Sequence, residues 1–265
     1  MKKTDVNDYI VNQVKLLVDN ASNSKNIKKL IKKHNEKSHP MPIRYRLLGG
    51  LLHSMNIRFG NFIEVLMKEF IRDDGRYEII EELSGKKNNK FNISKENEDR
   101  INDYISNCRR DKDYLNNFQK LLEDIVNCKT KCNETFDGDI DLLFRDKVQG
   151  KYYYLEMKYY DDHDSGKIVN INEKFIKTYA FLSEKLNIQK ASDLTPILFY
   201  FSGDLRMTNR FIPEETNIRK GEDFFKEFLK IEYKDVDVCL TNLSESCDNI
   251  KTFDELYNKI MNLDI

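Results

Sequence analysis

Four ionisable residues stand at spacings that can do chemistry together: Asp139, Asp141, Glu156 and Lys158. The acids lie in Asp139-Ile-Asp-Leu-Leu-Phe144, and the acid–base pair ends Lys151-Tyr-Tyr-Tyr-Leu-Glu-Met-Lys158. Both runs have the alternation or apolar continuity of strands, and Arg145-Asp-Lys-Val-Gln-Gly150 between them reads as a turn. The spacing therefore predicts an antiparallel hairpin. Residues two apart on a strand share a face. Asp139 and Asp141 then share one, with Ile140, Leu142 and Phe144 on the other; Glu156 and Lys158 share one, with Leu155 and Met157 pointing away. Pairing across the turn sets Asp141 opposite Glu156, so that two carboxylates and an ammonium converge. That is costly unless a cation fills the gap. All-oxygen ligation, from Asp141, Glu156 and a main-chain carbonyl at Met157, suits Mg2+ or Mn2+ rather than zinc. Lys158 beside the metal would hold or deprotonate a water and offset charge developing on a phosphate. A solvated surface hairpin is the plain alternative, and the bulky Tyr152–Leu155 run ahead of Glu156 argues against it.

The elements that must position these residues follow from periodicity. The first third is helical, with Phe59, Phe62, Ile63, Leu66 and Phe70 forming one apolar stripe. Residues 97–126 make a second helical region, preceded by a polar, basic loop over Gly85–Lys90. After the hairpin comes a polar loop, Asp161–Lys167, and then a helix over Asn172–Leu186 carrying Phe175, Ile176, Tyr179, Leu182 and Leu186. Ile197–Phe201 is wholly apolar and reads as a central buried strand. A polar loop over residues 206–220, a helix (Glu222–Leu229), a strand (Asp237–Thr241) and a last helix (Thr252–Leu263) complete the chain. Strand, helix and buried strand make a βαβ unit, so the fold class is α/β: a mixed β-sheet flanked by helices, with a helical N-terminal region.

Composition sets the outer limits. The 265 residues hold 44 Lys+Arg against 45 Asp+Glu, a net charge of −1, which by itself argues against a polyanion partner. There is no apolar run long enough to cross a membrane and no h-region behind the N-terminus, so the expected location is the cytoplasm. Five cysteines without a framework (108, 128, 132, 239, 247) fit free thiols. Cys128 and Cys132 lack the second close pair that a zinc site needs. No HExxH, GxSxG or Walker motif is present.

Asp141 followed after 15 residues by Glu156-Met157-Lys158 resembles the PD-(D/E)XK nuclease motif, with Ile140-Asp141 in place of the usual Pro-Asp. The resemblance covers residues 56–205 and implies a restriction-endonuclease-like core, with 1–55 as a helical N-terminal extension and 206–265 as a C-terminal part of a single nuclease domain. It implies Mg2+-dependent hydrolysis of phosphodiesters leaving 5′-phosphates, with Mn2+ as a substitute. Many members add an acid from an N-terminal helix, and Glu64, one turn beyond Gly60, fills that role here as a further metal ligand. The missing Gly60 side chain would let this helix approach the hairpin; a pairing of Glu64 with Lys68 is the structural alternative. Asp139 competes with Asp141, which is preferred because it directly precedes Leu142-Leu143-Phe144.

A chain of this size most resembles a type II restriction endonuclease, and residues 156–167 with the following helix are similar to the enzymes that cut GANTC. Double-stranded DNA is then the substrate, a homodimer matches a two-fold site, and a cognate methyltransferase is implied. Arg206, Arg210 and Arg219 are candidates for base reading, and Lys167 and the basic loop Lys86–Lys90 for phosphate contact. His163 reads as a surface histidine. Two rivals are a structure-specific repair or recombination nuclease and a DNA-binding protein with a degenerate nuclease core.

Overall fold

A computed structural model describes residues 3–36, 38–160, 165–202 and 209–263, with the side chains of 3–5, 86–88, 165 and 166 left aside. The chain divides into two compact units, residues 1–67 with 231–265, and residues 68–230.

The first unit is helical. Helix α1 (Lys3–Ser22), α2 (Ser24–Asn35) and the first part of α3 (Ile43–Asp74) contribute Val18, Ala21, Ile27, Leu47, Leu51 and Met55 to one core. Asn23 caps α2 by accepting the Asn26 N–H at 2.9 Å, which satisfies one of the orphan donors of the first turn. The same core receives Leu256 and Ile260 from the end of the chain.

The second unit holds two sheets. The chain leaves α3 into β1 (Tyr77–Ile79) and β2 (Gly85–Ser94), and Ser94 caps α4 (Lys95–Arg110) by accepting the Asn97 N–H. Acids in the first turn of α4 and arginines in its last turn complement its macrodipole. A 3-10 turn (Lys112–Asn117) leads to α5 (Phe118–Asn127), then β3 (Cys132–Ile140), β4 (Leu142–Asp146) and β5 (Tyr152–Lys158). Helix α6 (Ser165–Lys185) crosses over to β6 (Leu194–Tyr200), and α7 (Glu214–Asn217), β7 (Ile218–Lys220) and α8 (Gly221–Phe228) close the unit. The main sheet has the order β1-β4-β5-β6-β7, antiparallel through β1, β4 and β5 and parallel through β5, β6 and β7. Strands β2 and β3 form a separate antiparallel ribbon.

Each face of the main sheet has its own core. On one side Leu143, Tyr154 and Leu198 pack with Phe175, Ile176 and Tyr179 of α6, and Tyr154 stacks on Phe175 at 5.4 Å between centroids. On the other side Tyr77, Phe144, Tyr153 and Phe228 form an aromatic cluster, mostly edge-to-face, with Phe144 and Tyr153 stacked. The hairpin and the buried central strand thus stand where periodicity placed them; the crossover helix does too, but it begins at Ser165 rather than Asn172, so residues 165–167 of the expected polar loop are helical. The chain ends in α9 (Tyr233–Ser244) and α10 (Cys247–Met261), which belong to the first unit.

Four further expectations are corrected. Residues 237–241 are helical rather than a strand: Val236 and Cys239 are buried three apart while Val238 is exposed, a helical interval that a five-residue alternation imitates. Gly85–Lys90 is strand rather than loop, because its polar residues pair across an exposed ribbon; Lys90 lies opposite Asp137 and bridges it at 2.5 Å. Residues 214–220 contain a helical turn and a strand rather than a continuous loop, fixed where Asn217 donates to the Pro196 carbonyl at 2.8 Å. Finally, the strand through Asp139–Phe144 is not continuous. A bend at Asp141 separates β3 from β4, and Ile140 packs in the same core as Leu143 rather than on the face of Leu142 and Phe144.

Candidate active site

The bend at Asp141 moves the chain from one sheet to the other. Beyond it, the register runs Leu142 opposite Leu155 and Leu143 opposite Tyr154, so Asp141 and Glu156 are the next residues on their strands. Asp141 Oδ2 accepts the Met157 N–H at 2.7 Å, a hydrogen bond to a carboxylate that fixes its direction. Asp141 is 9% exposed and Glu156 7%. Two acids so far from water require partners. Glu156 Oε1 accepts from Lys158 Nζ at 2.7 Å and Oε2 from the Tyr154 hydroxyl at 3.2 Å. The same ammonium donates to the Met157 carbonyl at 3.1 Å. Asp141, Glu156 and Lys158 are therefore gathered at one end of the β4–β5 hairpin, as alternation across the turn requires.

Tyr154 is wholly buried, and its hydroxyl is pushed well above its ordinary value of 10, first by burial and then by the charges of Glu156 and Asp141. It stays protonated and can only orient Glu156 as a donor. Sequence reasoning did not single it out, although it stands two before Glu156 and so shares its face.

A second missed residue is Ser84, 4% exposed. Strand β1 is ending here: the Ile80 N–H still donates to the Leu143 carbonyl at 2.9 Å, but the return bond of the ladder is interrupted. The Ser84 hydroxyl stands in the gap, accepting the Leu143 N–H at 3.0 Å and donating to the Ile80 carbonyl at 2.9 Å. It holds the backbone two residues beyond Asp141. No local pattern in the sequence marks it, since the partner is 59 residues away.

The other candidates are placed as follows. Asp139 is half-exposed and 3.8 Å from Lys174 of α6. Glu64 lies half-buried on α3 in the first unit. Its i+4 neighbour Lys68 pairs with Glu81. Lys167 is exposed on the first turn of α6. Arg210 is exposed between the buried Asn209 and Phe211; Asn209 donates to Asn172 of α6 at 3.0 Å and accepts from the Phe211 and Ile212 N–H groups. Arg219 is engaged internally, with Glu227 at 2.7 Å and the Ile218 carbonyl at 2.9 Å. Arg206 and His163 lie outside the described residues, as do the side chains of residues 86–88.

Among the described residues no group of three or more His, Cys, Asp or Glu side chains is disposed to hold a metal. Asp141 and Glu156 offer two carboxylates, and a main-chain carbonyl lies beside them. Cys128 instead contacts Ser94 and Thr130, and Cys132 contacts Glu184. No described helix is long and apolar enough to cross a membrane.

Comparison with known proteins gives the family of the chain. The family model described as type II restriction endonuclease, HinfI, matches residues 2–244. The type II restriction enzyme HinfI of Haemophilus influenzae is 50% identical over 260 residues, 97% of this chain and 98% of that enzyme. No solved structure matches the chain. The match runs through both compact units and every strand of the hairpin site, and the chain belongs to the HinfI family of type II restriction endonucleases, sequence-specific nucleases of double-stranded DNA.

Proposed function

We propose that this restriction endonuclease hydrolyses its phosphodiester at Asp141, Glu156 and Lys158, within a PD-(D/E)XK core and with Mg2+ as cofactor, leaving 5′-phosphates. The observation that carries the reading is the buried network itself. Two carboxylates stand next to each other, and the Lys158 ammonium bridges Glu156 and the Met157 carbonyl. The donor set fits a hard cation: it is all oxygen, and Mg2+ is commonly held by one or two carboxylates with water and substrate phosphate oxygens completing the shell. Mn2+ suits the same donors. Asp141, Glu156 and the Met157 carbonyl would hold it. When bound, the ion supplies Lewis-acid stabilisation of phosphate charge and lowers the pKa of a bound water.

The chain's own groups have separable roles. Asp141 is aimed by the Met157 N–H, and Glu156 by the Tyr154 hydroxyl. Lys158 Nζ, on the same face as Glu156, orients the attacking water and offsets negative charge on the phosphate. Its main chain is held because Phe201 N–H donates to the Lys158 carbonyl at 2.8 Å. Arg210 and Lys167, with Arg206 and Arg219, are the proposed DNA contacts. For Arg219 that means exchanging its bond to Glu227. A two-fold recognition site, GANTC by the family likeness, calls for a homodimer, and protection of host DNA calls for a cognate methyltransferase.

The test is digestion of a mapped DNA by the purified protein with Mg2+, followed by sequencing of the ends. Discrete fragments with 5′-phosphates are expected, and none from Glu156→Ala. Asp139→Ala and Asp141→Ala separate the two aspartates: loss of cleavage only in the former overturns the assignment of Asp141.

A further inference from the structure

Helix α2 reads Ser24-Lys-Asn-Ile-Lys-Lys-Leu-Ile-Lys-Lys-His-Asn35, five lysines and no acid. Its apolar side is committed: Ile27 is buried, and Leu30 and Ile31 pack against the core of the first unit. Lys25, Lys28, Lys29, Lys32 and Lys33 are all exposed. The first four, spaced i, i+3, i+4 and i+7, line one shallow depression with Ser24.

Lys32, Lys33 and His34 in the last turn complement the macrodipole of α2, but the rest of the arrangement opposes the helix. Lys25 sits in the first turn, at the positive end of the macrodipole, where no acid offsets it. Lys25–Lys29, Lys28–Lys32 and Lys29–Lys33 are like-charge i,i+4 pairs. None of the five makes an ion pair among the described residues, whereas cations on other helices do: Lys95 with Glu98 and Asp99, Lys177 with Glu98 and Glu173, Lys226 with Glu222. A cationic face without ion-pair partners among the described residues is complementary to an external polyanion. The four lysines span about 10 Å along the helix axis, the rise of about three nucleotides of one strand.

We propose that the lysine face of α2 is a DNA-backbone contact, separate from the hydrolytic residues and distinct from the loops proposed to read bases. It rests on the reading of the chain as a DNA endonuclease. The lysines act as point charges on phosphates, so they position the duplex and add affinity without adding sequence information.

The test uses the full chain and a short duplex lacking any cleavage site, with binding measured by anisotropy across a salt series. In K25Q/K28Q/K29Q/K32Q, affinity at low salt falls at least about tenfold. The slope of log K against log salt loses about two to four, near 0.9 for each counterion no longer released. K25R/K28R/K29R/K32R restores the slope, and the positions at which plasmid is cut stay unchanged. Wild-type slope in the glutamine variant overturns the proposal while leaving the endonuclease reading intact. Wild-type protein that neither binds nor cuts any DNA overturns that reading and this proposal with it. If the fourfold variant does not fold, K25Q/K29Q and K28Q/K32Q are each expected to lose about one to two from the slope, and an unchanged slope in both is equally decisive against it.

Discussion

Replacing Ser84 by alanine removes one oxygen 59 residues away in sequence from the strand it supports, and the consequence can be worked bond by bond. The Ile80 carbonyl keeps the Leu83 and Ser84 N–H groups as donors, at 3.2 and 3.0 Å. The Leu143 carbonyl keeps the Ile80 N–H. The Leu143 N–H loses the Ser84 hydroxyl, the acceptor that stands in for the missing ladder bond. A buried donor left without a partner costs about 1–3 kcal/mol. For a chain of this size each kcal/mol lowers Tm by about 2–4 °C, so Ser84→Ala is expected to melt about 2–12 °C early. The loss should also reach activity, because Leu143 is two residues from Asp141 and the carboxylate depends on the β4 backbone to meet the Met157 N–H. A drop of about tenfold in kcat at a temperature well below melting is expected, in line with the cost of small misplacements. Differential scanning fluorimetry and initial cleavage rates on a one-site plasmid measure both. Exposed Ser192, bonded among the described residues to Asp193 next to it, serves as the control. A Ser84→Ala protein with unchanged Tm would show that the hydroxyl bridge holds nothing, and unchanged kcat beside a lowered Tm would refute the link from Leu143 to the site.

Glu156→Gln and Asp141→Asn should each lower kcat by at least about a thousandfold while DNA binding survives, since charge is lost from the site without loss of volume; gel-shift and cleavage assays read the two separately. Chelation of divalent cations should abolish cleavage, with added Mg2+ restoring it. Gly138→Ala should destabilise by about 1–3 kcal/mol in thermal unfolding, because its Cβ would lie 2.2 Å from the Phe91 ring, which is pinned by stacking on Phe181 at 4.1 Å and cannot swing aside. Burial pushes the Asp146 carboxyl up, but the N–H groups of Gln149 and Val148 and the Arg76 guanidinium together hold it below its ordinary value of 3.8. Its stabilisation is thus fully present above that value and is lost as pH falls through the depressed one; Tm measured from about pH 5 downwards should fall less steeply in Asp146→Asn.

The hairpin was legible because its information is local. A turn of fixed length and a period of two bring Asp141 opposite Glu156 and set Lys158 beside it, and the tyrosine run announces burial. The crossover helix and central strand were legible for the same reason, each having one long unambiguous pattern. What failed was information carried by a distant partner. Alternation places Asp139 and Asp141 on one face, but β3 must leave the main sheet to pair with β2, and the bend that does so falls on Asp141 itself. The paired ribbon over Gly85–Lys90 needs Asp137 and Gly138 to exist, and the Ser84 bridge needs Leu143. Glu64 was reached through a motif's habit together with its place one turn beyond Gly60 on the apolar helix.

A net charge of −1 seemed to speak against DNA, and the distribution of partners explains why it does not. In the second unit many cations are spent locally: Arg72 and Lys68 on Glu81, Arg76 on Asp146, Lys90 on Asp137, Arg219 on Glu227, and Lys158 on Glu156. Such a pair has no net charge, and its dipolar field falls off faster than that of a lone cation, so it adds little to what a phosphate feels. Each such pair cancels in the sum, so the sum reports only the net of what is left and not where on the chain it lies. What a duplex meets is the unpaired remainder, and on α2 that remainder is five lysines in twelve residues. The sign of the whole chain is then a poor guide to its partner, and the salt slope of DNA binding should follow the unpaired lysines rather than the total of 44 basic residues.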